Sequence, residues 1–162
     1  MTENRMQSKP DHPGIIAPPP LIYIGVLGFA LLLDWIVVGP SLGLPYLLRM
    51  VLATLLLIVG ASIDIAGGSR FIAAKTNIHP WKPSKSVVTT GIFRYTRNPM
   101  YLGMALIYAS LSLFANSAIA LAGLLPALAL IEYGVIRREE RYLEAKFGEQ
   151  YRAYTRQVRR WI

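Results

Sequence analysis

The stretch LLRMVLATLLLIVGASIDIA, residues 47–66, decides the fold of this chain. It is 20 residues long, and its two charged residues, Arg49 and Asp64, both lie near an end. A helix needs about 20 predominantly apolar residues to cross the roughly 30 Å hydrocarbon core of a bilayer. The stretch therefore predicts one membrane-spanning helix.

Three further stretches have the same apolar character: residues 21–38, in which Asp34 is the one charge, residues 100–115 and residues 117–136. Asn116 alone separates the last two, so we expect a tight helical hairpin there. The sequence thus predicts an all-α integral membrane protein with four transmembrane helices, at about residues 21–38, 47–66, 100–115 and 117–136.

The composition argues against a small water-soluble enzyme. Of the 162 residues, 54% are hydrophobic and 16% charged, whereas an ordinary soluble domain has about 25% charged residues. A soluble domain of this size buries only about two-thirds of its surface, which is too little to hide so much apolar material. The sequence contains no cysteine, which excludes disulfide scaffolds, zinc–thiolate sites and cysteine nucleophiles. No other grouping predicts a metal site.

Basic residues are distributed unevenly, and their distribution predicts the orientation. Residues 67–99 carry six basic and no acidic residues, and the tail after Ile136 carries eight basic residues, whereas the other two loops carry none. Loops rich in Lys and Arg stay on the cytoplasmic side. We therefore expect a bacterial inner-membrane protein with both termini cytoplasmic. The net charge of +8 then needs no nucleic-acid partner to explain it.

Two terminal segments flank the predicted helices. Residues 1–20, which end in a proline cluster, are predicted to be a flexible cytoplasmic segment. Residues 21–162 are predicted to form a single membrane domain, with 67–99 as a cytoplasmic loop. In residues 137–162, apolar side chains recur at helical spacing and Gly148 suits a helix end. We expect two amphipathic helices there, which lie along the headgroups or cap the bundle.

The start of the third predicted helix has the features of an anion site. Asn98 can cap the helix, with Pro99 in its first turn. The free backbone N–H groups there, together with Arg94 and Arg97, would attract a carboxylate or a phosphate. The alternative is a capped membrane helix whose arginines extend to the headgroups.

The acidic pair Glu139 and Glu140 follows the fourth predicted helix and could receive a cationic amine or sulfonium. The alternative is a solvated helix turn neutralised by nearby arginines. Because a tight hairpin returns the fourth helix beside the start of the third, we expect both charged features at one cytoplasmic edge. A zwitterionic amino acid would match this pair of charges.

Two motifs carry a family resemblance that covers the second half of the chain, from Thr89 on. The segment GIFRYTRNPMYLG, residues 91–103, followed at hairpin distance by RREERYLEAKFGEQYRAY, residues 137–154, resembles the integral-membrane methyltransferases. These form the isoprenylcysteine carboxyl methyltransferase and phospholipid N-methyltransferase superfamily. Asn98 stands where the isoprenylcysteine enzymes usually have histidine, which weakens assignment to that activity.

The resemblance implies that S-adenosylmethionine binds in a pocket closed by the C-terminal helices, with a lateral opening for a lipid acceptor. It implies that the first motif contacts the cofactor through Arg97, Asn98, Pro99, Tyr101, Leu102 and Gly103. It further implies that Glu139 and Glu140 bind the amino or ribose groups of the cofactor, and that Gly91 and Tyr95 line the approach. We attribute Gly103 to a close approach of the ligand to the backbone.

Four other polar residues have alternative explanations. His79 and Glu132 are candidate catalytic bases, although His79 could equally be an interfacial loop residue. Asp34 is predicted to make a structural pairing, for which Arg49 is a candidate partner. Asp64 is predicted to mark the inner membrane surface.

The predicted function is S-adenosylmethionine-dependent methyl transfer to a lipophilic acceptor that is reached from the bilayer. The acceptor group could be a carboxylate, an amine or a thiol. The alternatives are a nicotinamide-dependent membrane reductase of the sterol type and a non-catalytic membrane scaffold. The sequence leaves the oligomeric state open.

Overall fold

The computed structural model describes residues 11–162, and this part of the chain is helical without strands. The helices are α1 (Pro19–Val37), α2 (Tyr46–Ala73), α3 (Pro99–Ala115), α4 (Ala118–Ala122), α5 (Leu124–Ile131), α6 (Arg137–Phe147) and α7 (Glu149–Gln157). A short 3-10 helix, Gly91–Arg94, precedes α3, and a π-helical turn, Glu132–Ile136, joins α5 to α6.

Three helical segments are long and apolar enough to cross a membrane: Pro19–Val37, Tyr46–Ala73 and Ala118–Phe147. The helix α3 is also apolar but has 17 residues. Large apolar side chains on α1 and α2, such as Phe29, Trp35 and Ile58, are more than half exposed. In a lipid environment such faces contact acyl chains rather than water.

The helix α2 extends seven residues beyond its predicted end, from Ala66 to Ala73. Gly67 and Gly68 lie within this extension, although glycine disfavours helix. In the structure Gly67 instead lets α2 approach α3, since a Cβ there would lie 2.7 Å from Met100 Cγ. The contact between α2 and α3 therefore outweighs the low helix propensity of glycine. A helix of 28 residues spans about 42 Å, more than the hydrocarbon core requires.

The hairpin predicted between the third and fourth helices is present. Asn116 ends α3 with φ of 55°, and the Ser117 side chain caps α4. The predicted end of the fourth helix at Ile136 is wrong, because the chain continues through the π-helical turn into α6 without a loop. Gly148, with φ of 52°, separates α6 from α7.

The expected pairing of Asp34 with Arg49 is also wrong. The Ser117 hydroxyl donates to Asp34 Oδ1 at 2.8 Å, so Asp34 supports the hairpin turn. Arg49 donates to the carbonyl oxygens of Leu113 and Phe114, at 2.7 and 2.9 Å. Carbonyl groups in the last turn of α3 thus satisfy the arginine, and that of Leu113 also accepts from the Asn116 N–H at 3.0 Å.

The helix α3 occupies the centre of the bundle and packs against α1, α2, α4 and α5. Gly60 of α2 lies against the Gly103 carbonyl of α3, and a Cβ at Gly60 would be 2.7 Å from that oxygen. Small residues allow backbones in membrane helices to approach this closely. The main apolar cluster lies between α1, α3 and α5, and includes Tyr23, Tyr108, Ala127, Ile131 and Val135.

Residues 1–20 are predicted to be flexible, and the first ten of them lie outside the described residues. Residues 11–18 differ from the prediction because they pack along the end of the bundle. The Ile16 N–H donates to the Gly134 carbonyl at 3.2 Å, and Arg138 donates to the Gly14 carbonyl at 2.7 Å. Asp11 forms an ion pair with Lys146.

Candidate functional site

The start of α3 is fixed by the C-terminal segment of the chain. Asn98 occupies the N-cap position, but its side chain does not cap the helix. Its amide donates instead to the Arg160 carbonyl at 2.9 Å, and the Thr96 hydroxyl donates to the same oxygen at 3.1 Å. The predicted side-chain cap is therefore wrong: a cap needs the side-chain oxygen to accept from a helix N–H, whereas the contact of the Asn98 side chain is its donation to Arg160.

Arg97 precedes Asn98, and a buried donor of its side chain has no hydrogen-bond partner in the described part of the chain. Its backbone N–H donates to the Arg159 carbonyl at 3.0 Å, and its guanidinium lies 3.2 Å from Glu140 Oε1. The Nε atom is buried and has no hydrogen-bond partner among residues 11–162. A buried donor without a partner is costly, and it marks a position where an anionic ligand group would be favourable.

The two glutamates of α6 have different partners. Arg160 donates to both oxygens of Glu140, at 2.9 and 2.7 Å. The Tyr101 hydroxyl donates to Glu139 Oε2 at 2.7 Å, and within residues 11–162 Glu139 has no ion-pair partner. The start of α3 and the acidic pair therefore lie side by side, and their predicted proximity is confirmed.

These groups surround a cavity of about 290 Å³, near the lower end of the range of about 300–1,000 Å³ for ligand pockets. The cavity is lined by residues of α3 and α6, by the loop that follows α2, and by α7. The predicted site residues in its lining are His79, Arg97, Asn98, Pro99, Tyr101, Glu139 and Glu140. Other lining residues include Pro19, Phe71, Trp81, Met104, Tyr142, Tyr151 and Tyr154.

Aromatic side chains form much of the cavity wall. The His79 and Trp81 rings are stacked with centroids 4.7 Å apart. The Tyr154 hydroxyl donates to the Phe93 carbonyl at 2.7 Å, which ties α7 to the 3-10 helix. Burial, together with the negative charge of Glu140, raises the pKa of Tyr151 to about 12. Its hydroxyl therefore stays protonated near neutral pH and can donate a hydrogen bond.

The structure does not bring all the predicted site residues to this cavity. Gly91 and Tyr95 lie outside its lining. Gly91 has φ of +65°, and Arg70 Nε occupies the space that a Cβ would need, so backbone conformation and packing account for this glycine. The Tyr95 side chain is 78% exposed.

Leu102, Gly103 and Glu132 also lie outside the lining. The absence of a side chain at Gly103 makes room for Asp64, so a helix contact explains it rather than the ligand approach we expected. Leu102 lies on the same helix without contributing to the cavity. Glu132 Oε1 accepts from Arg137 and Arg160 at 3.0 and 2.7 Å, and its second oxygen accepts from the Trp161 indole at 3.3 Å.

Sequence reasoning missed Arg160, which joins Glu132 to Glu140 through charge-assisted hydrogen bonds. In the sequence it is one of the eight basic residues that follow Ile136. Its one signal is position, since it lies directly before Trp161 in the apolar repeat that continues from α7. That repeat predicts a tail that lies along the headgroups or caps the bundle, but it does not predict which side chains Arg160 contacts.

A family model and a curated relative are similar to this chain. A family model described as phospholipid methyltransferase matches residues 48–150. An uncharacterised protein of Haemophilus influenzae is 41% identical over 63 residues, which are 39% of this chain and the whole of that protein. No solved structure matches the chain.

Proposed function

Because the chain belongs to the phospholipid methyltransferase family, we propose that it transfers a methyl group from S-adenosylmethionine to a lipophilic acceptor reached from the bilayer. One observation carries the proposal: Arg97, whose buried Nε donor has no partner among residues 11–162, and Glu139, whose carboxylate has no ion pair within the same residues, line one cavity. These two charges complement the carboxylate and the ammonium of the amino-acid portion of the cofactor.

The charges and the lining residues of the cavity support this cofactor. Arg97 Nε would bind the carboxylate, while the ion pair with Glu140 keeps the guanidinium in place. Glu139, held by the Tyr101 hydroxyl, would bind the ammonium. The aromatic wall of Trp81 and Tyr151 would cover the apolar surface of the ligand. When bound, the cofactor supplies a methyl group activated by a sulfonium charge.

The residues of the chain would act mainly by positioning and by excluding water. Fixed charges at one end of a ligand set the direction of the other end, and orientation of this kind can supply a large part of a rate enhancement. Of the two candidate bases, His79 lines the cavity. Both oxygens of Glu132 are engaged by other side chains, so His79 is the better placed of the two.

We also propose how the chain lies in the membrane. The helix α3 would make the fourth crossing together with α1, α2 and the α4–α5 segment, in one domain over residues 21–162. Both termini and the loop after α2 would be cytoplasmic in a bacterial inner membrane, with α6 and α7 capping the bundle there. The basic residues of these parts support this orientation.

Isothermal titration of the full chain in detergent with S-adenosylhomocysteine tests the proposed cofactor. We expect saturable binding that Arg97→Ala weakens by about tenfold or more, since a charge-assisted contact is lost. Arg94→Ala is the matched control because Arg94 is exposed on the same motif, and it should bind normally. Equal affinity in both variants would remove the site. Binding of NADPH instead would indicate the reductase, and binding of neither ligand would indicate the scaffold.

A further inference from the structure

The segment that precedes α1, residues 11–18, forms a strap across the end of the bundle at which the cavity lies. Pro13 of this N-terminal strap lines the cavity, as do Pro19 and Pro20, with which α1 begins. The strap therefore forms one wall of the cavity, in addition to the walls that α6 and α7 supply. Its inner half, residues 15–18, and its outer half, residues 11–14, are held in different ways.

The inner half of the strap is anchored by apolar packing. The Ile16 N–H donates to the Gly134 carbonyl at 3.2 Å, and the Ile16 side chain fills the space that a Cβ at Gly134 would need. Ile15 and Ala17 pack against the main apolar cluster between α1, α3 and α5. Because removal of apolar surface from water is strongly favourable, this half stays attached to the bundle.

The outer half of the strap is held by polar contacts at the surface. The Asp11 carboxylate accepts from the Lys146 ammonium at 2.6 and 2.8 Å and from the Tyr142 hydroxyl at 2.8 Å. Arg138 donates to the Gly14 carbonyl at 2.7 Å. The Asp11 side chain is 57% exposed, and ion pairs between exposed groups stabilise a structure only slightly. The outer half is therefore the part of the strap that can detach.

Gly14 lies at the boundary between the two halves. Its φ is +63°, a conformation that glycine adopts readily and other residues rarely adopt. Apart from its chain neighbours, no atom of the described residues lies within 4 Å of the position that a Cβ would take there. The backbone at Gly14 can therefore rotate without displacing a packed side chain, as a hinge requires.

The contacts of Asp11 reach the cavity wall through Tyr142. Tyr142 lines the cavity, and its hydroxyl also accepts from the Ser84 N–H at 3.1 Å and from Lys146 at 3.0 Å. Ser84 belongs to the loop after α2 and lines the cavity as well. One hydroxyl thus joins the strap, α6 and the loop, which are three parts of the wall. Loss of the Asp11 contact would free the strap from the other two.

We propose that the N-terminal strap is a hinged lid over the cavity, with Gly14 as its hinge and the contacts of Asp11 with Tyr142 and Lys146 as its latch. When the latch breaks, the outer half swings away and the cofactor enters or leaves past Pro13. That the cofactor is the occupant rests on the proposed function, whereas movement of the lid is measured without a ligand. Asp11 does not line the cavity, so the latch acts on the rates of ligand exchange rather than on the bound ligand.

Alkylation of a cysteine inside the cavity tests the lid without a ligand. The chain has no native cysteine, and Ser86 lines the cavity with its Oγ atom buried, so Ser86→Cys reports access to the interior. In this background, Asp11→Asn should raise the rate of alkylation by iodoacetamide about threefold or more, because the charge of the latch is lost. Peptide mass spectrometry measures the rate.

Glu144→Gln in the same background is the matched control. It also removes the charge of an exposed carboxylate in an ion pair, but that pair joins α6 to Arg152 of α7 instead of to the strap. Its alkylation rate should equal that of Ser86→Cys alone. Equal rates in Asp11→Asn and Glu144→Gln would overturn the proposal.

Binding kinetics of S-adenosylhomocysteine test the lid in a chain without the added cysteine. In Asp11→Asn the association and dissociation rate constants, measured by surface plasmon resonance in detergent, should both rise about threefold or more. The Kd should stay within about twofold of native, because the lid opens more often but adds no contact to the ligand. Unchanged rate constants, or a change in the dissociation rate constant alone, would overturn the proposal.

The lid and the proposed function fail in different ways. Alkylation that depends on Asp11 in a chain that binds no S-adenosylhomocysteine would remove the proposed function and leave the lid in place. Normal binding of S-adenosylhomocysteine with alkylation that does not depend on Asp11 would remove the lid and leave the proposed function in place.

Discussion

At the residue scale, Glu140 is held between two guanidinium groups, those of Arg97 and Arg160. Among residues 11–162, Glu139 makes one side-chain hydrogen bond, from the Tyr101 hydroxyl. The positive charges beside Glu140 already compensate it, so it serves to position Arg97. The less compensated Glu139 is therefore the one of the two that would take up a cationic ligand group.

Tyr101→Phe tests whether Glu139 must be held in place. The change removes only the hydroxyl that donates to Glu139, so the carboxylate can turn away from the cavity. A hydrogen bond to a charged group contributes about 1.5–3 kcal/mol, and we expect affinity for S-adenosylhomocysteine to fall about tenfold or more. Titration calorimetry measures the change.

Tyr95→Phe is the control for this prediction, because Tyr95 belongs to the same motif and is 78% exposed. It should leave affinity unchanged. If Tyr95→Phe weakens binding as much as Tyr101→Phe, the approach to the site runs past Tyr95, as the family resemblance implied, and the cavity assignment needs revision.

At the element scale, the contact between α2 and α3 is built from small residues. Gly60 and Gly67 of α2 lie against Gly103 and Met100 of α3, and Asp64 lies in the same stripe. Backbones this close leave no room for added side-chain atoms. This contact places Asp64 and the start of α3 in a fixed relation.

Gly103→Ala should destabilise the fold. A Cβ at this position would overlap Asp64 and lie 2.8 Å from the Gly60 carbonyl oxygen, and overpacking of this kind costs about 1–3 kcal/mol. We expect a lower thermal unfolding midpoint in detergent. Gly25→Ala is the control, since no neighbouring atom of the described residues lies within 4 Å of a Cβ there. An equal midpoint in both variants would show that α2 and α3 are not in contact as described.

The segment that follows α7 is linked through Arg160 to the π-helical turn and to α6. Arg160→Ala removes hydrogen bonds to Glu132 and Glu140 and leaves both carboxylates less compensated. We expect a loss of about 1–3 kcal/mol of stability together with weaker S-adenosylhomocysteine binding. Thermal unfolding and calorimetry measure the two effects. Arg159→Ala, at an exposed neighbouring residue, should change neither, and equal effects in both variants would contradict the proposed role of Arg160.

At the scale of the whole molecule, the cavity is assembled from parts of the chain that lie far apart in sequence. The loop after α2 supplies His79 and Trp81, the start of α3 supplies Arg97, and α6 supplies Glu139. Helix α7 supplies Tyr151. Each part is attached to one end of the bundle, so the topology of the helices brings the site together.

The proposed orientation can be tested in a chain that has no native cysteine. Ser41 and Thr89 are exposed at opposite ends of α2, and each can carry a single introduced cysteine. A membrane-impermeant maleimide should label Ser41→Cys in intact cells with a permeabilised outer membrane, and Thr89→Cys only after lysis. The reverse pattern would invert the topology.

Local patterns in the sequence were sufficient for the helical class, the hairpin at Asn116 and the neighbourhood of Arg97 and Glu139. Apolar length, a one-residue connection and charge placement are properties of consecutive residues. The thickness of a bilayer sets the number of apolar residues that a spanning helix needs, so the apolar lengths could be interpreted directly. The family resemblance followed from the same kind of consecutive motif.

The partner of each polar group was decided only in three dimensions. Asn98 holds the Arg160 carbonyl instead of its own helix, Gly103 makes room for Asp64, and Asp34 binds Ser117 instead of Arg49. Each contact joins residues 39 or more positions apart in sequence. Hydrogen bonding and close packing depend on distances between side chains, which residue spacing specifies within one helix but not between helices that only the folded bundle brings together.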